Sequence, residues 1–169
     1  HGSGTIKPAH LQPRRTPTVY QKILVPIDGS ETAKRGLDEA IGLAQSVGAQ
    51  LRLLHVVTDV VWLLESASTK TYAQMHDELH AYADQLLAAA AKTAADEGVK
   101  AETVKRDAAG GRPAHTIVDE AKASGCDAIV MGTHGRKGVS RLLLGSDASL
   151  VVSISPLPVL LVGSEVAVA

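Results

Sequence analysis

Short aliphatic runs alternate with longer amphipathic stretches along most of this chain, and that alternation restricts its fold more than any other feature. Lys22–Ile27, Leu51–Val57, Asp127–Met131 and Val159–Val162 have strand length and are rich in Ile, Leu and Val. Between them lie segments with a helical period. Thr32–Val47 places Leu37, Ile41 and Ala44 on one face, and Tyr72–Glu97 repeats Met75, Leu79, Tyr82, Leu86 and Ala90 at three- and four-residue steps. Gly98 closes that second stretch as a C-cap glycine. Ala101–Arg106 alternates like an edge strand, Pro113–Ala123 is a helix with proline in its first turn, and Asp147–Ser155 begins another helix. Thr58–Lys70 reads as a loop with a helical turn through Trp62 and Leu63. Strands joined through helices imply right-handed βαβ units and a parallel sheet covered on both faces.

With 169 residues, 45% of them hydrophobic, there is chain enough for one well-buried domain and too little for two. We place that domain at residues 20–163. Residues 1–19, with Pro8, Pro13 and Pro17, read as an extended or disordered leader, its opening His1-Gly2-Ser3-Gly4 as a cloning remnant, and 164–169 as a tail. A net charge of −1 argues against a nucleic-acid partner, and 2% aromatics against a stacking platform for single strands. Cys126 is the lone cysteine, so no internal disulfide can form, in keeping with a reducing cytoplasm. There is neither a membrane-length apolar run nor a secretory signal, so no membrane partner is expected.

The chemistry concentrates after the run Asp127–Met131. Met131-Gly132-Thr133-His134-Gly135 is followed by nine residues and then Gly145-Ser146, with a helix beyond. A strand, a glycine-rich loop and a helix start together suit phosphate, because first-turn N–H groups lack intrahelical partners. Gly132 is expected to turn the chain sharply out of the strand. Gly135 and Gly145 are expected to let backbone approach a ligand, and Ser146 to act as the N-cap. A glycine-rich connection with no ligand is the plain alternative, although it would be long for one. In sheets of this kind ligands sit beyond the carboxyl ends of the strands, where strand order reverses. The loops after Ile27, after Val56 and after Met131 can meet there.

Those three loops carry a resemblance. Ile23-Leu24-Val25-Pro26-Ile27-Asp28-Gly29-Ser30, Leu54-His55-Val56-Val57, and the G-x-x-G, nine residues, G-S pattern closed by Pro158–Val162 resemble the universal stress protein family, in particular its ATP-binding branch. The resemblance runs from about Lys22 to Val162. It implies ATP or another adenine nucleotide, with magnesium as a candidate companion ion. Asp28 would accept the ribose hydroxyls, Pro26 would line the sugar edge, and Val56 would meet adenine with its backbone. Met131, Gly132, Gly135, Gly145 and Ser146 would frame ribose and phosphates. The family usually continues with an apolar residue and then a small, often hydroxylic one. Here Asp147 and Ala148 stand in those places, with backbone N–H groups still on offer but no hydroxyl at Ala148. The expected architecture is an open five-stranded parallel sheet in the order 3-2-1-4-5. A homodimer through the last strand is implied, and Leu157 and Val166–Val168 could extend its apolar edge. The function expected is a regulatory module of the stress response. A slow ATPase or nucleotidyl-transfer enzyme, and a dimerisation module with a degenerate site, stand as alternatives.

Several further residues have two readings. Asp28 also suits a plain helix-start carboxylate, since Asp-Gly-Ser before a helix favours capping. His134, Arg136, Lys137 and Arg141 form either a cationic cluster beside phosphates or a solvated basic loop. His55 reads as a hydrogen-bonded structural histidine, and Cys126 as packing. His76 and His80, one helical turn apart, have the spacing of two zinc ligands. The intervening Asp77 departs from H-E-x-x-H and no third ligand is evident, so a solvated helix face is expected.

Overall fold

A computed structural model of the chain describes residues 20–58, 69–108, 112–134 and 144–164. Among these residues nine elements follow one another: β1 Lys22–Pro26, α1 Glu31–Val47, β2 Gln50–Val57, α2 Thr69–Asp96, β3 Ala101–Asp107, α3 Pro113–Ala123, β4 Ala128–Gly132, α4 Ser146–Ile154 and β5 Val159–Val162. All pairings are parallel, as the alternation of runs implies, and the sheet order is β3-β2-β1-β4-β5, the order expected. The loop expected at Thr58–Lys70 lies largely outside the described residues, and its last two residues already belong to α2.

Alternate residues of the central strands enter two separate cores. Ile23, Val25, Leu51 and Leu53 point to one face, where α1 contributes Leu37, Ala40, Ile41 and Ala44, and α2 contributes Leu87, Ala90 and Ala94. Leu24, Leu54, Ile129 and Met131 point to the other, against Ala114, Ile117 and Val118 of α3 and Ala148 and Val151 of α4. Both faces of the sheet are thus covered, which is why the interior of β1, Ile23–Val25, and β4 are apolar without alternation.

The stripe expected on α2 is rotated. Ala83, Leu87, Ala90 and Ala94 are buried, whereas Tyr82 is exposed and Met75, Leu79 and Leu86 lie at the flank. Small side chains let this helix approach the sheet closely, so its alanines occupy the centre of the contact and its larger residues fringe it.

Two tethers set the ends of the elements. The Asp127 carboxylate accepts the N–H groups of Gln21 (2.6 Å) and Lys22 (2.9 Å), fixing the start of β1 beside β4. Gly48 and Gly98, at φ +71° and +72°, end α1 and α2 in the left-handed region that glycine enters without cost.

Candidate functional site

β1 lies at the centre of the sheet, and the chain winds outward from it through β2 and β3 before crossing to β4 and β5. The reversal falls between β1 and β4, and the crevice beyond their carboxyl ends is the site such a sheet provides. β1 stops at Pro26, paired with Leu54, while β2 continues through His55, Val56 and Val57, leaving a notch beside the ends of both strands.

The β1–α1 loop is built from its own side chains. The N–H of Ser30 donates to Asp28 Oδ1 at 2.9 Å, which orients the carboxylate. Oδ2 takes no hydrogen bond among the described residues. Gly29 turns the chain at φ +82°, and a Cβ there would lie 2.8 Å from the Tyr82 hydroxyl oxygen. Ser30 is the N-cap of α1, its Oγ accepting the N–H of Ala33 at 3.1 Å. Asp28 is therefore a turn-forming carboxylate rather than the cap.

The second wall is the end of β4. The hydroxyls of Thr32 and Ser30 both donate to the carbonyl of His134, the latter at 3.3 Å, so the two loops are joined across the switch point. Thr133 and His134 also share a hydrogen bond between Oγ1 and Nδ1 at 2.9 Å. The glycines here serve close packing. A Cβ on Gly132 would lie 2.7 Å from the carbonyl carbon and Oγ1 of Thr32, so Gly132 admits the start of α1 rather than turning the chain. A Cβ on Gly145 would lie 3.0 Å from the Thr133 carbonyl oxygen, which accepts the Gly145 N–H at 2.8 Å.

The start of α4 differs from expectation. Gly145 is the N-cap and Ser146 the first helical residue, exposed, and among the described residues no side chain caps the turn. The shift follows from the Gly145–Thr133 clasp, which fixes the chain one residue earlier than the serine pattern implies. Asp147 is half-buried. Ala148 is buried in the α3–α4 core, as is Met131, so both can face the crevice only with backbone. Pro26 and Val56 lie at its rim, partly buried. Gly135, Arg136, Lys137 and Arg141 lie outside the described residues.

Other candidates resolve simply. The buried His55 places Nδ1 2.6 Å from the Ile27 carbonyl oxygen, where its ring proton serves the turn after β1. Cys126 is buried, and burial pushes its thiol pKa up. The pair His76 and His80 does have a third potential ligand. Asp107, at the end of β3, is brought beside them by the packing of α2.

A doubly wound domain with two loops tied across its switch point and an uncapped helix start beside them belongs to the α/β proteins that place ligands beyond their strand ends. Within that class, the model of the universal stress protein family matches residues 19–163, and the chain belongs to that family. It is 36% identical over 150 residues to universal stress protein YxiE of Bacillus subtilis, covering 85% of this chain and 99% of the relative. The solved structure of UspA from Lactobacillus plantarum superposes with a TM-score of 0.74 at 31% identity, covering 85% of this chain and 97% of its own. A universal stress protein of Archaeoglobus fulgidus solved in complex with dAMP shares the fold at TM-score 0.63 and 24% identity, over 85% of this chain and 98% of its own.

Proposed function

We propose that this protein is a nucleotide-dependent module of the stress response that binds ATP, or another adenine nucleotide, in the crevice beyond β1 and β4. The observation that carries the reading is the joining of the Asp28 and His134 loops through Thr32 and Ser30. The loop that bears the oriented Asp28 carboxylate is tied to His134, and Gly145 at the start of α4 is tied to the neighbouring Thr133, which supports one site served by both. Asp28 Oδ2 suits vicinal ribose hydroxyls, and the first-turn N–H groups of α4 suit phosphate. The backbone of β2 at Val56, exposed past the end of β1, suits the edge of a base. Fold-mates with dAMP, cAMP and AMP bound support the ligand class. Magnesium would accompany the triphosphate, neutralising part of its charge.

We further read the protein as a homodimer through β5. That strand closes the sheet at one edge, and Leu160 on it is 47% exposed. An unpaired apolar edge of this kind favours a second copy.

Titration calorimetry with ATP, ADP and AMP, with and without magnesium, tests the nucleotide reading. Saturable binding is expected. Asp28→Ala should weaken adenosine ligands by roughly 1.5–3 kcal/mol, the worth of a charge-assisted hydrogen bond, and inorganic triphosphate by less. Absence of binding at millimolar nucleotide would remove the proposal, and equal losses for both ligands would remove Asp28 from the ribose.

A further inference from the structure

Away from the switch point, α2 and the end of β3 bring together three side chains that the nucleotide reading does not use. His76 and His80 stand one turn apart on α2, their rings stacked at 4.2 Å between centroids and tilted by 32°. Asp107 ends β3, the outermost strand, with its carboxylate turned toward them. Each of the three offers one ligand atom, and all these atoms lie within 4.8 Å of one another.

We propose that His76, His80 and Asp107 form a binding site for a divalent first-row transition metal, zinc foremost, that ties α2 to the edge strand. Two imidazoles and a carboxylate are a donor set such ions favour, and two histidines four residues apart on a helix present their nitrogens to the same point. Ligand atoms around a tetrahedral zinc at about 2.0–2.1 Å are roughly 3.4 Å apart. His80 Nε2 and Asp107 Oδ1 are already 3.1 Å apart. The remaining atoms need only small side-chain rotations, within reach of partly exposed groups.

The state of His80 points the same way. Its Nε2 is shielded from solvent and makes no hydrogen bond among the described residues, although Asp107 Oδ1 is close enough for an ion pair. The two atoms face each other across a gap without the geometry of a hydrogen bond. A metal ion bonded to both would satisfy each. The nearby cation does not oppose it, because Lys105 Nζ donates to Asp84 Oδ1 at 2.8 Å and to the His80 carbonyl at 3.3 Å. Three protein ligands leave a coordination position open for water. The site stands at the same end of the sheet as the crevice but at β3, two strands from β1, or about 10 Å along the hydrogen-bonding direction. It uses none of the residues assigned to the nucleotide crevice.

The test is titration of nucleotide-free, chelator-stripped protein with cobalt(II), followed by its visible ligand-field absorption, and then displacement by zinc. One equivalent of cobalt should bind with the intense bands of a low-coordinate site. His80→Gln and Asp107→Asn should each weaken binding by about tenfold or more, with the circular dichroism spectrum unchanged. His115→Gln, on the exposed face of α3, should leave binding unchanged and so controls for adventitious imidazole. Failure to saturate at millimolar cobalt overturns the proposal. So does binding that His80→Gln leaves intact, which would place the metal elsewhere.

Discussion

A methyl group added at Gly132 would press on Thr32, and the same Thr32 holds the His134 carbonyl. Two of the glycines that suggest phosphate in the sequence are thus occupied in fitting the protein to itself. Gly132→Ala should lower stability by about 1–3 kcal/mol, the usual cost of overpacking, seen as a lower urea midpoint. Gly145→Ala, with a nearest contact of 3.0 Å, should cost less. An unchanged midpoint for Gly132→Ala would mean that α1 can withdraw from β4. The spacing of these glycines is legible in the sequence, but their cause is not. The atoms Gly132 accommodates belong to a helix about a hundred residues away, and those Gly145 accommodates belong to the turn just past β4. Cys126 is simpler. Buried, with its thiol pKa pushed up by that burial, it should react with an alkylating reagent far more slowly in native than in denatured protein. Equal rates would show that the start of β4 opens readily.

At the scale of elements, strands and helices are recovered from the sequence wherever periodicity is strong, with most ends displaced by about one residue and the start of α2 by three. Pro113–Ala123 and Val159–Val162 are found as expected. What a local pattern cannot carry is a side chain's distant partner. Glu120, in the middle of α3, reads as an ordinary helix carboxylate. It is buried, with Arg52 Nε at 2.8 Å from one oxygen and Arg106 Nε at 2.8 Å from the other. Removing it would leave Arg52 with Glu102 (3.0 Å) and take from Arg106 the carboxylate at its Nε, so Glu120→Ala should cost about 1–3 kcal/mol in chemical denaturation. A loss well below 1 kcal/mol would mean that water takes over the arginine. Glu102 extends the network. Lys22, then Arg52, hold its carboxyl below its ordinary pKa of 4.5. A depressed carboxyl stabilises the fold above that value, and the contribution fades as pH falls through the lower, folded one. Asp147 raises a different question at the start of α4. If its carboxylate faces the crevice it repels a third phosphate more than a first. Asp147→Val should then raise the ATP-to-AMP affinity ratio, most strongly without magnesium. If it only complements the helix dipole, the ratio stays constant and the substitution costs roughly 0.3–1 kcal/mol of stability.

For the whole molecule, the strand order follows from βαβ handedness together with the family resemblance, and the two cores follow from the alternation within each strand. The zinc-class site was beyond the sequence because Asp107 is distant from His80 along the chain and meets it only after α2 packs. Assembly can be tested through β5. Leu160→Glu places a charge on the exposed edge and should convert a dimer to monomers in light scattering at micromolar concentration. A parent protein that is itself monomeric there would end the dimer reading.

The pairing of β1 with β4 has a consequence during synthesis. Ile23 pairs with Leu51 on one side and with Ala128 on the other, so the middle strand of the finished sheet spends part of its history as an edge. At 5–20 residues per second the ribosome needs roughly 4–15 s after the first neighbour to deliver the second. For that interval an aliphatic strand has one open side, and Gln21 and Lys22 lack the Asp127 carboxylate that later receives them. A chain cut short before β4 is frozen at that stage. It should pellet when expressed alone and call on chaperones that the full-length chain can do without, whereas a soluble, monomeric truncation would show that some other segment shelters β1 until its partner emerges.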